Sequence, residues 1–315
     1  MALCRCRLVI VVCVGLLVVV QMTALIDALQ LDKLRKQPKN VVILDASWHL
    51  PNANRQALTE FEAGHIVGAR FFDLSLYFDA AHAMPHMLTH DVGLIASLLQ
   101  ALGISNDDKI IFYDQSDLHS SCRAWWMFRM FGHDPEKLFI LNGGLLAWKR
   151  FGGKVEVGPA KFNLSKGYVV NWQSQFLRTL NEMKQNEREG REQVVDVRHP
   201  VRYAGGQEIR PNMRLGHIPG SYSFPFMSFY ESNGEFKPLK RIETQLRGTG
   251  LDFNYPIVSM CGSGITSAIL NYVLELLGVQ HHALYDGSFS EWGADYLLAG
   301  EVSLDERPVV RSVDY

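Results

Sequence analysis

The sequence predicts an α/β protein built from two tandem copies of one domain, each a mostly parallel sheet flanked by helices. Motifs of the N-terminal half return in the same order about 150 residues later, which is the sign of an internal repeat. Each half alternates short apolar runs with helical stretches, a pattern typical of α/β units around a parallel sheet. At 315 residues, the chain also exceeds what a single core usually organises.

Four pairs of motifs carry the repeat. They are an apolar strand ending in aspartate, a Gly-His-Ile-x-Gly turn, a second apolar strand, and an Asn/Asp-Gly sequence followed by tryptophan. The pairs occupy residues 41–45 and 194–196, 64–68 and 216–220, 110–114 and 257–261, and 142–148 and 286–292. Their separations differ by only a few residues, so we interpret the chain as a duplicated domain.

The predicted domain boundaries follow from composition. We expect an apolar N-terminal segment over residues 1–30, a first domain over 31–152 and a linker over 153–175. The glycines and the proline between residues 152 and 160 mark this linker. The second domain is predicted over 176–300, and the tail over 301–315 is expected to be peripheral because it lacks apolar periodicity.

The N-terminal segment resembles a signal or transmembrane segment. Arg5 and Arg7 precede an uncharged run over residues 8–26, which is just long enough to span and anchor the chain in a membrane. Composition therefore favours the secretory pathway or a membrane-anchored location. A mitochondrial presequence should contain more arginine and serine, and a buried core helix is the remaining structural alternative.

Overall composition is that of an ordinary folded protein, with 47% hydrophobic and 20% charged residues. A net charge of −2 gives no indication of a nucleic-acid partner. Of the five cysteines, only Cys122 and Cys261 lie beyond the N-terminal segment, one in each half. This spacing fits neither a disulfide framework nor a metal site, so we predict no metal and no cofactor.

Residues 261–266, Cys-Gly-Ser-Gly-Ile-Thr, are the strongest candidate for chemistry. They lie between a predicted buried strand and a predicted helix, where backbone N–H groups and the helix dipole favour a thiolate. A lone cysteine in such a place is often only a small buried apolar residue. Packing alone does not explain two glycines together with the hydroxyls of Ser263 and Thr266, so we predict that Cys261 is a nucleophile.

The first copy differs at this position. Asp114 takes the place of Cys261, and Cys122 follows eight residues later at the start of a predicted helix. We therefore interpret Cys122 as structural, the first half as a scaffold and the second half as the catalytic domain.

A polar, arginine-rich segment follows the strand that ends at Asp196, on the sheet edge expected to carry Cys261. The planar guanidinium groups of Arg202 and Arg210 suit an anionic sulfur donor. The alternative is that they are exposed arginines in a salt-bridged loop.

These features together resemble the two-domain rhodanese family. The resemblance rests on the repeat, the two His-Ile-x-Gly motifs, the sequence at 285–292 and the single cysteine loop, and it covers residues 44–292. Thiosulfate sulfurtransferases of this family carry basic residues in the loop. The loop of this chain has none and is similar to the 3-mercaptopyruvate sulfurtransferase form, as are the sequences at 45–51, 71–73 and 125–129.

The resemblance implies a transferase that moves sulfur from 3-mercaptopyruvate to a thiol or cyanide through a Cys261 persulfide, releasing pyruvate. Arg202 and Arg210 align with the arginines that bind the donor's carboxylate and keto group. Ser263 and His86 align with a pair that assists proton movement. The rest of the loop is predicted to line the donor site: Gly262, Gly264, Ile265 and Thr266. A thioredoxin-like dithiol is the acceptor that the family suggests.

The chain departs from the family pattern in two places. The family often has an acidic residue two positions after Asp73, but this chain has Ser75, so a serine–histidine–acid relay would need Asp73 or Asp79. The apolar N-terminal segment is the second departure, since the better-known members are cytosolic or mitochondrial. The resemblance therefore implies the mitochondrion or cytoplasm as alternative locations.

Three other functions remain open from the sequence. The nearest is a thiosulfate sulfurtransferase, against which the absence of Lys and Arg at 262–265 argues. A cysteine phosphatase would close its loop with arginine rather than Thr266. The third is a weakly active sulfur carrier or binding module.

Overall fold

The computed structural model describes residues 9–13, 16–20, 24–36, 40–84, 86–163 and 167–312, with the backbone alone at 9–13 and 16–20. Its strands, in chain order, are Val9–Cys13 (β1), Leu16–Val20 (β2), Leu25–Ile26 (β3), Val41–Asp45 (β4), His65–Ile66 (β5), Ala69–Phe71 (β6), Lys109–Tyr113 (β7), Leu138–Leu141 (β8), Val155–Glu156 (β9), Leu177–Arg178 (β10), Gln193–Asp196 (β11), Tyr222–Ser223 (β12), Ile257–Met260 (β13) and His282–Tyr285 (β14). Its α-helices are Ala28–Arg35 (α1), Ala57–Ala63 (α2), Val92–Ala101 (α3), Ser121–Met130 (α4), Gly144–Arg150 (α5), Leu180–Glu189 (α6), Pro200–Ala204 (α7), Leu239–Gly248 (α8), Ser267–Leu276 (α9) and Ser288–Trp292 (α10).

The two halves fold into two five-stranded sheets with the same topology. The first has the order β3-β8-β7-β4-β6, and the second has the order β10-β14-β13-β11-β12. Every strand pairing within both sheets is parallel. Each strand and helix of the first sheet has a counterpart at the same place in the second, so the predicted α/β duplication is confirmed.

The repeat extends to local stabilising contacts. Asp27 caps α1 and Thr179 caps α6, each in a capping box with the residue three positions later. The histidines of the two Gly-His-Ile motifs are also equivalent. His65 stacks on Phe61 and His217 on Tyr203, each with ring centroids 3.8 Å apart, and each Nδ1 bonds its stacking partner's carbonyl. These histidines are therefore structural.

The domains meet through α4 and α9, the helices that follow the loops after β7 and β13. Almost every residue of both helices is buried, as expected for a helix that is covered on all sides. Trp125 of α4 packs edge-on against Tyr272 of α9, with ring centroids 5.0 Å apart. One apolar cluster thus contains residues of both domains, and each domain has a further cluster of its own.

The structure differs from two of the predicted boundaries, one near the N-terminal segment and one at the tail. β3 is the edge strand of the first sheet and α1 begins at Ala28, so residues 25–30 belong to the first domain rather than to the apolar segment. In the tail, the fully buried Arg307 donates hydrogen bonds to the carbonyls of Glu291 and Trp292 and pairs with Glu301. These contacts anchor the described part of the tail, residues 301–312, to the second domain, so that part is not peripheral as predicted.

The predicted membrane-spanning run, residues 8–26, includes positions outside the described residues. Apart from Ala24, which lies in a bend, the positions of this run that are described form strands β1, β2 and β3. Across the described parts of the chain, no helix has both the length and the apolar character needed to cross a membrane.

Candidate active site

Cys261 directly follows β13, and α9 begins six residues later at Ser267. This is the carboxyl edge of a central parallel strand, where α/β sheets form their sites. The side chain is buried, with only 3% of the residue exposed. The predicted strand–loop–helix context of the cysteine is therefore present.

The surroundings of the Cys261 sulfur favour the thiolate. Burial by itself raises the pKa of a thiol, but hydrogen bonds from the Thr266 hydroxyl and from the amides of Ser263 and Ser267 outweigh it, so that the pKa of Cys261 is lowered. The Ser267 hydroxyl also lowers this pKa, although it lies outside full hydrogen-bond geometry. The loop thus forms a cradle of donors around one sulfur atom.

The two glycines of the loop have separate structural roles. A Cβ on Gly262 would lie 2.5 Å from the Arg210 guanidinium, so glycine lets this arginine cover the loop. Gly264 has a φ of +76°, and a Cβ there would lie 2.6 Å from Asp286 Oδ1. Ile265, between them and the helix, is buried.

Ser288, the first residue of α10, holds the loop. Its Oγ accepts hydrogen bonds from the amides of Cys261 at 3.2 Å and Gly264 at 3.1 Å, and it donates to the Tyr285 carbonyl at 2.8 Å. Ser288 has a φ of +50°, an unusual conformation for a residue other than glycine. Ser288 belongs to the motif at 285–292, which the sequence showed to be part of the repeat. The contact of this motif with the cysteine loop appears only in the structure.

The two predicted arginines have different partners. Arg210 donates to the Gly262 carbonyl and the Ser290 hydroxyl. Burial, and then the charge of Arg202, lower the pKa of Arg210, whereas the Cys261 thiolate opposes this shift. Arg202 instead forms a bidentate pair with Glu208 at 2.7–3.1 Å. The salt-bridged alternative therefore describes Arg202 but not Arg210.

His86 reaches this site from the first domain. Burial lowers its pKa to about 4, so the imidazole is neutral at pH 7; the nearby carboxylate of Asp286 acts in the opposite direction. Arg123 and Arg210 add to the lowering, and a hydrogen bond with the Gly287 backbone opposes it. Its Nε2 is buried without a hydrogen-bond partner, and the described residues show no hydrogen bond between His86 and the half-buried Ser263.

The two predicted replacements for the missing acid do not pair with His86. Asp73 accepts from the Ser75 amide at 2.9 Å and Asp79 from the Ala81 amide at 3.0 Å, so both carboxylates close local turns. Ser75 itself accepts from the Trp48 indole at 3.2 Å. The carboxylate that influences His86 most is Asp286, which comes from the second domain.

Asp286 also ties the domains together at the loop. One oxygen accepts the amide of Leu88, two residues after His86, at 2.7 Å. The other lies 2.7 Å from a guanidinium nitrogen of Arg123, although without full hydrogen-bond geometry. The same nitrogen donates to the Gly264 carbonyl at 3.3 Å. The first domain therefore supports the loop directly as well as through its core, which sequence analysis missed.

Comparison with known proteins agrees with this fold and site. The rhodanese-like domain family matches residues 27–151 and again residues 179–295. A mitochondrial thiosulfate/3-mercaptopyruvate sulfurtransferase of Arabidopsis thaliana is 34% identical over 79% of this chain and 71% of its own length. The human 3-mercaptopyruvate sulfurtransferase is 36% identical over 79% of this chain and 84% of its own.

A solved structure extends the similarity to three dimensions. The crystal structure of SseA from Escherichia coli, a 3-mercaptopyruvate sulfotransferase, superposes with a TM-score of 0.76 at 31% identity, covering 86% of this chain and 100% of that one. The chain therefore belongs to the rhodanese-like domain family, with two tandem copies, and the predicted resemblance is confirmed.

Proposed function

We propose that this protein is a sulfurtransferase that takes sulfur from 3-mercaptopyruvate, carries it as a Cys261 persulfide and passes it to a thiol or to cyanide. One observation carries the proposal: a buried thiol of lowered pKa lies in a cradle of amides and hydroxyls beside Arg210. The relatives named as 3-mercaptopyruvate sulfurtransferases support the choice of donor.

In the first half-reaction, the Cys261 thiolate attacks the sulfur of 3-mercaptopyruvate. A sulfur–sulfur bond forms and the carbon–sulfur bond breaks, and its electron pair leaves with the carbon fragment as pyruvate enolate. The proton of the donor thiol neutralises the enolate, which gives pyruvate and leaves an anionic persulfide. The loop amides that lower the pKa of Cys261 stabilise that anion in the same way.

The remaining site residues bind and orient the donor. Arg202 and Arg210 hold its carboxylate and keto group, while Gly262, Gly264, Ile265 and Thr266 shape the loop beneath it. Ser263, half-buried in the loop, passes the proton, and the neutral imidazole of His86 is the nearby base. No step requires a metal or a cofactor.

In the second half-reaction, an acceptor attacks the outer sulfur of the persulfide and restores the thiolate. A thiol such as a thioredoxin-like dithiol would serve, as would cyanide. Of the predicted locations, the mitochondrion has the support of the Arabidopsis relative's name. Anchoring through residues 8–26 stays a prediction.

Thiosulfate is a second candidate donor, because the Arabidopsis relative is named for both compounds. A thiosulfate donor would load the same Cys261 persulfide and release sulfite. The loop has no lysine or arginine at 262–265 to attract a dianion, so we expect 3-mercaptopyruvate to be preferred.

The test measures pyruvate release with 3-mercaptopyruvate and a dithiol acceptor, beside thiosulfate-dependent formation of thiocyanate. We expect faster turnover of 3-mercaptopyruvate, and a mass increase of one sulfur atom when the protein is exposed to donor without acceptor. Cys122→Ala is the matched control, since Ala268 stands at the equivalent position of the second domain, and it should load sulfur normally. Absence of both turnover and sulfur loading in the unmodified protein would refute the proposal.

A further inference from the structure

Glu208 occupies a central place among the charges of the donor site. Its side chain is only 3% exposed, and it lies between two arginines. Arg202 bonds it from Nε and Nη2 at 2.7–3.1 Å, and Arg198 Nη1 lies 3.5 Å from Oε2. A buried carboxylate in this position neutralises charge that would otherwise face the donor.

The same carboxylate shapes the loop that presents Arg210. Oε1 of Glu208 accepts the amide of Ile209 at 3.0 Å and the amide of Arg210 at 3.3 Å. Glu208 bonds Arg202 through Nε and Nη2 and leaves Nη1 of Arg202 unused. The N–H groups of this Nη1 can therefore donate to a ligand. Glu208 is thus fully bonded, and both predicted arginines keep N–H groups that can bind the sulfur donor.

The charges at this site can be counted among the described residues. Arg198 is paired with Asp196 at 2.6 Å, and Arg202 with Glu208 at 2.7 Å. Arg210 contacts a carbonyl and a hydroxyl and has no ion-pair partner in the described part of the chain. One guanidinium charge therefore remains for a ligand, and the Cys261 thiolate, which already acts on Arg210, limits how much more negative charge the site accepts.

We infer that Glu208 is the residue that sets the charge of the sulfur donor: by neutralising Arg202, it makes the site selective for a monoanionic α-keto acid over a dianion such as thiosulfate. The inference rests on the proposed function. It assigns donor preference to a carboxylate outside the cysteine loop, in addition to the absence of basic residues within that loop.

Glu208→Gln tests the inference, because glutamine keeps the size and one acceptor oxygen but removes the charge. The ratio of kcat/KM for thiosulfate to kcat/KM for 3-mercaptopyruvate should rise about tenfold, mainly through a lower KM for thiosulfate, and the gain should shrink at high salt. An unchanged ratio, or an equal loss with both donors, would show that Glu208 only supports the loop and would overturn the inference.

Glu192→Gln is the matched control. Glu192 forms a similar bidentate pair with Arg178, at 2.7–3.2 Å, ahead of β11 and so at the opposite edge of the sheet from Cys261. This variant should leave the donor ratio unchanged. A similar rise in both variants would mean that the effect is not local to the donor site and would also overturn the inference.

A second variant avoids the buried carboxylate in case Glu208→Gln does not fold. Ile209 is 59% exposed, so Ile209→Lys adds a positive charge beside Glu208 without disturbing a packed side chain. The ratio of kcat/KM for thiosulfate to kcat/KM for 3-mercaptopyruvate should be about threefold higher in Ile209→Lys than in Ile209→Gln. This effect is smaller than that of Glu208→Gln because solvent screens the exposed charge. Equal ratios in the lysine and glutamine variants would contradict the charge argument.

Equilibrium binding separates this inference from the proposed function. In the Cys261→Ser background, calorimetry compares sulfate, a dianion, with pyruvate, a monoanion. Glu208→Gln should shift the ratio of the two affinities toward sulfate by about tenfold. If the protein that keeps Cys261 turns over neither sulfur donor but Glu208→Gln still shifts the affinity ratio, the proposed function fails and the charge selection stands. If that protein turns over 3-mercaptopyruvate but the affinity ratio does not shift, the proposed function stands and the charge selection fails.

Discussion

The loops that follow β7 and β13 are built alike but hold different acids. In the first domain, the Asp114 carboxylate accepts the amides of Ser116 at 3.1 Å and Ser121 at 2.8 Å. In the second, the Cys261 sulfur receives the amides of Ser263 and Ser267. Both loops are therefore anion cradles at the start of a helix. The fold provides the cradle, and the residue inside it decides whether that cradle carries sulfur or only stabilises the turn.

The two buried thiols show that burial alone does not make a reactive cysteine. Burial, and then the nearby charge of Asp114, raise the pKa of Cys122 well above its usual range. Cys122 has a weak contact with the Tyr230 hydroxyl at 3.9 Å, whereas Cys261 has several donors aimed at its sulfur. Hydrogen-bond donors outweigh desolvation at one thiol and not at the other, which supports the assignment of Cys122 as structural.

The largest contrast is expected from removing the acid of each cradle. Cys261→Ser should lower turnover at least about a thousandfold, because a hydroxyl neither ionises at neutral pH nor carries sulfur. Asp114→Ala should lower the free energy of unfolding by about 1–3 kcal/mol, since two buried amides lose their acceptor. Turnover per folded molecule should be kept in the second variant. Steady-state kinetics and denaturant unfolding measure both, and a thousandfold loss in Asp114→Ala would break the comparison.

The next effect tests the support that the first domain gives to the second. Arg123→Met should destabilise the protein by about 3–5 kcal/mol, because it leaves the Asp286 carboxylate buried and uncompensated. Adding Asp286→Asn removes that charge but keeps an acceptor for the Leu88 amide, so the double variant should recover part of the loss. Unfolding midpoints provide the measurement. Equal stability of the single and double variants would show that the ion pair is not what joins the domains at the loop.

A third pair compares the aspartates that end β4 and β11. Burial raises the pKa of Asp45 to about 6, whereas Asp196 is paired with Arg198 at 2.6 Å. Because the folded state binds the Asp45 proton more tightly than the unfolded state, stability falls as pH rises from about 4 through 6. Asp45→Asn should therefore stabilise the protein by about 2–3 kcal/mol at pH 7 and change little at pH 4.

Asp196→Asn is the counterpart of that variant and should destabilise the protein at pH 7, because it removes the negative charge nearest to the buried Arg198 and leaves only the more distant Glu208. Denaturant unfolding of both variants at pH 4 and pH 7 checks the pair. A loss of stability in both at pH 7 would mean that the Asp45 carboxylate is better compensated than its surroundings indicate.

The smallest expected effect concerns the thiol itself. Thr266→Val removes the hydroxyl that most strongly lowers the pKa of Cys261, so that pKa should rise. Since the thiolate is the reacting form, the acid limb of kcat/KM against pH should move to higher pH, with the plateau largely kept. Ser120→Ala, at the equivalent position of the first domain, should not move this limb. If the Thr266→Val profile coincides with that of the unmodified protein, the hydroxyl does not control ionisation.

The predictable part of the site was the part encoded by local sequence. The cysteine between strand and helix, the two glycines and the arginine segment were all identified from adjacent residues, and the structure brings Cys261, Arg210 and His86 together. The carboxylate near His86 was not predicted from the sequence, because it belongs to Asp286 in the other domain. Asp286 bonds Leu88, two residues after His86, across a separation of 198 positions. Asp73 and Asp79 were nearer in sequence, yet their carboxylates serve local turns.

By itself, the sequence determined the duplicated α/β fold and the place of the proposed nucleophile, because periodicity, turn residues and repeats are local and survive in the order of the chain. The tertiary structure decided the charges around the site and its support, through Arg123 on the Gly264 carbonyl and Glu208 on Arg202. It also anchored the described part of the tail through the buried Arg307. Those contacts depend on which buried charges meet across two domains. Desolvation makes each pairing decisive, and no local pattern in the sequence records it.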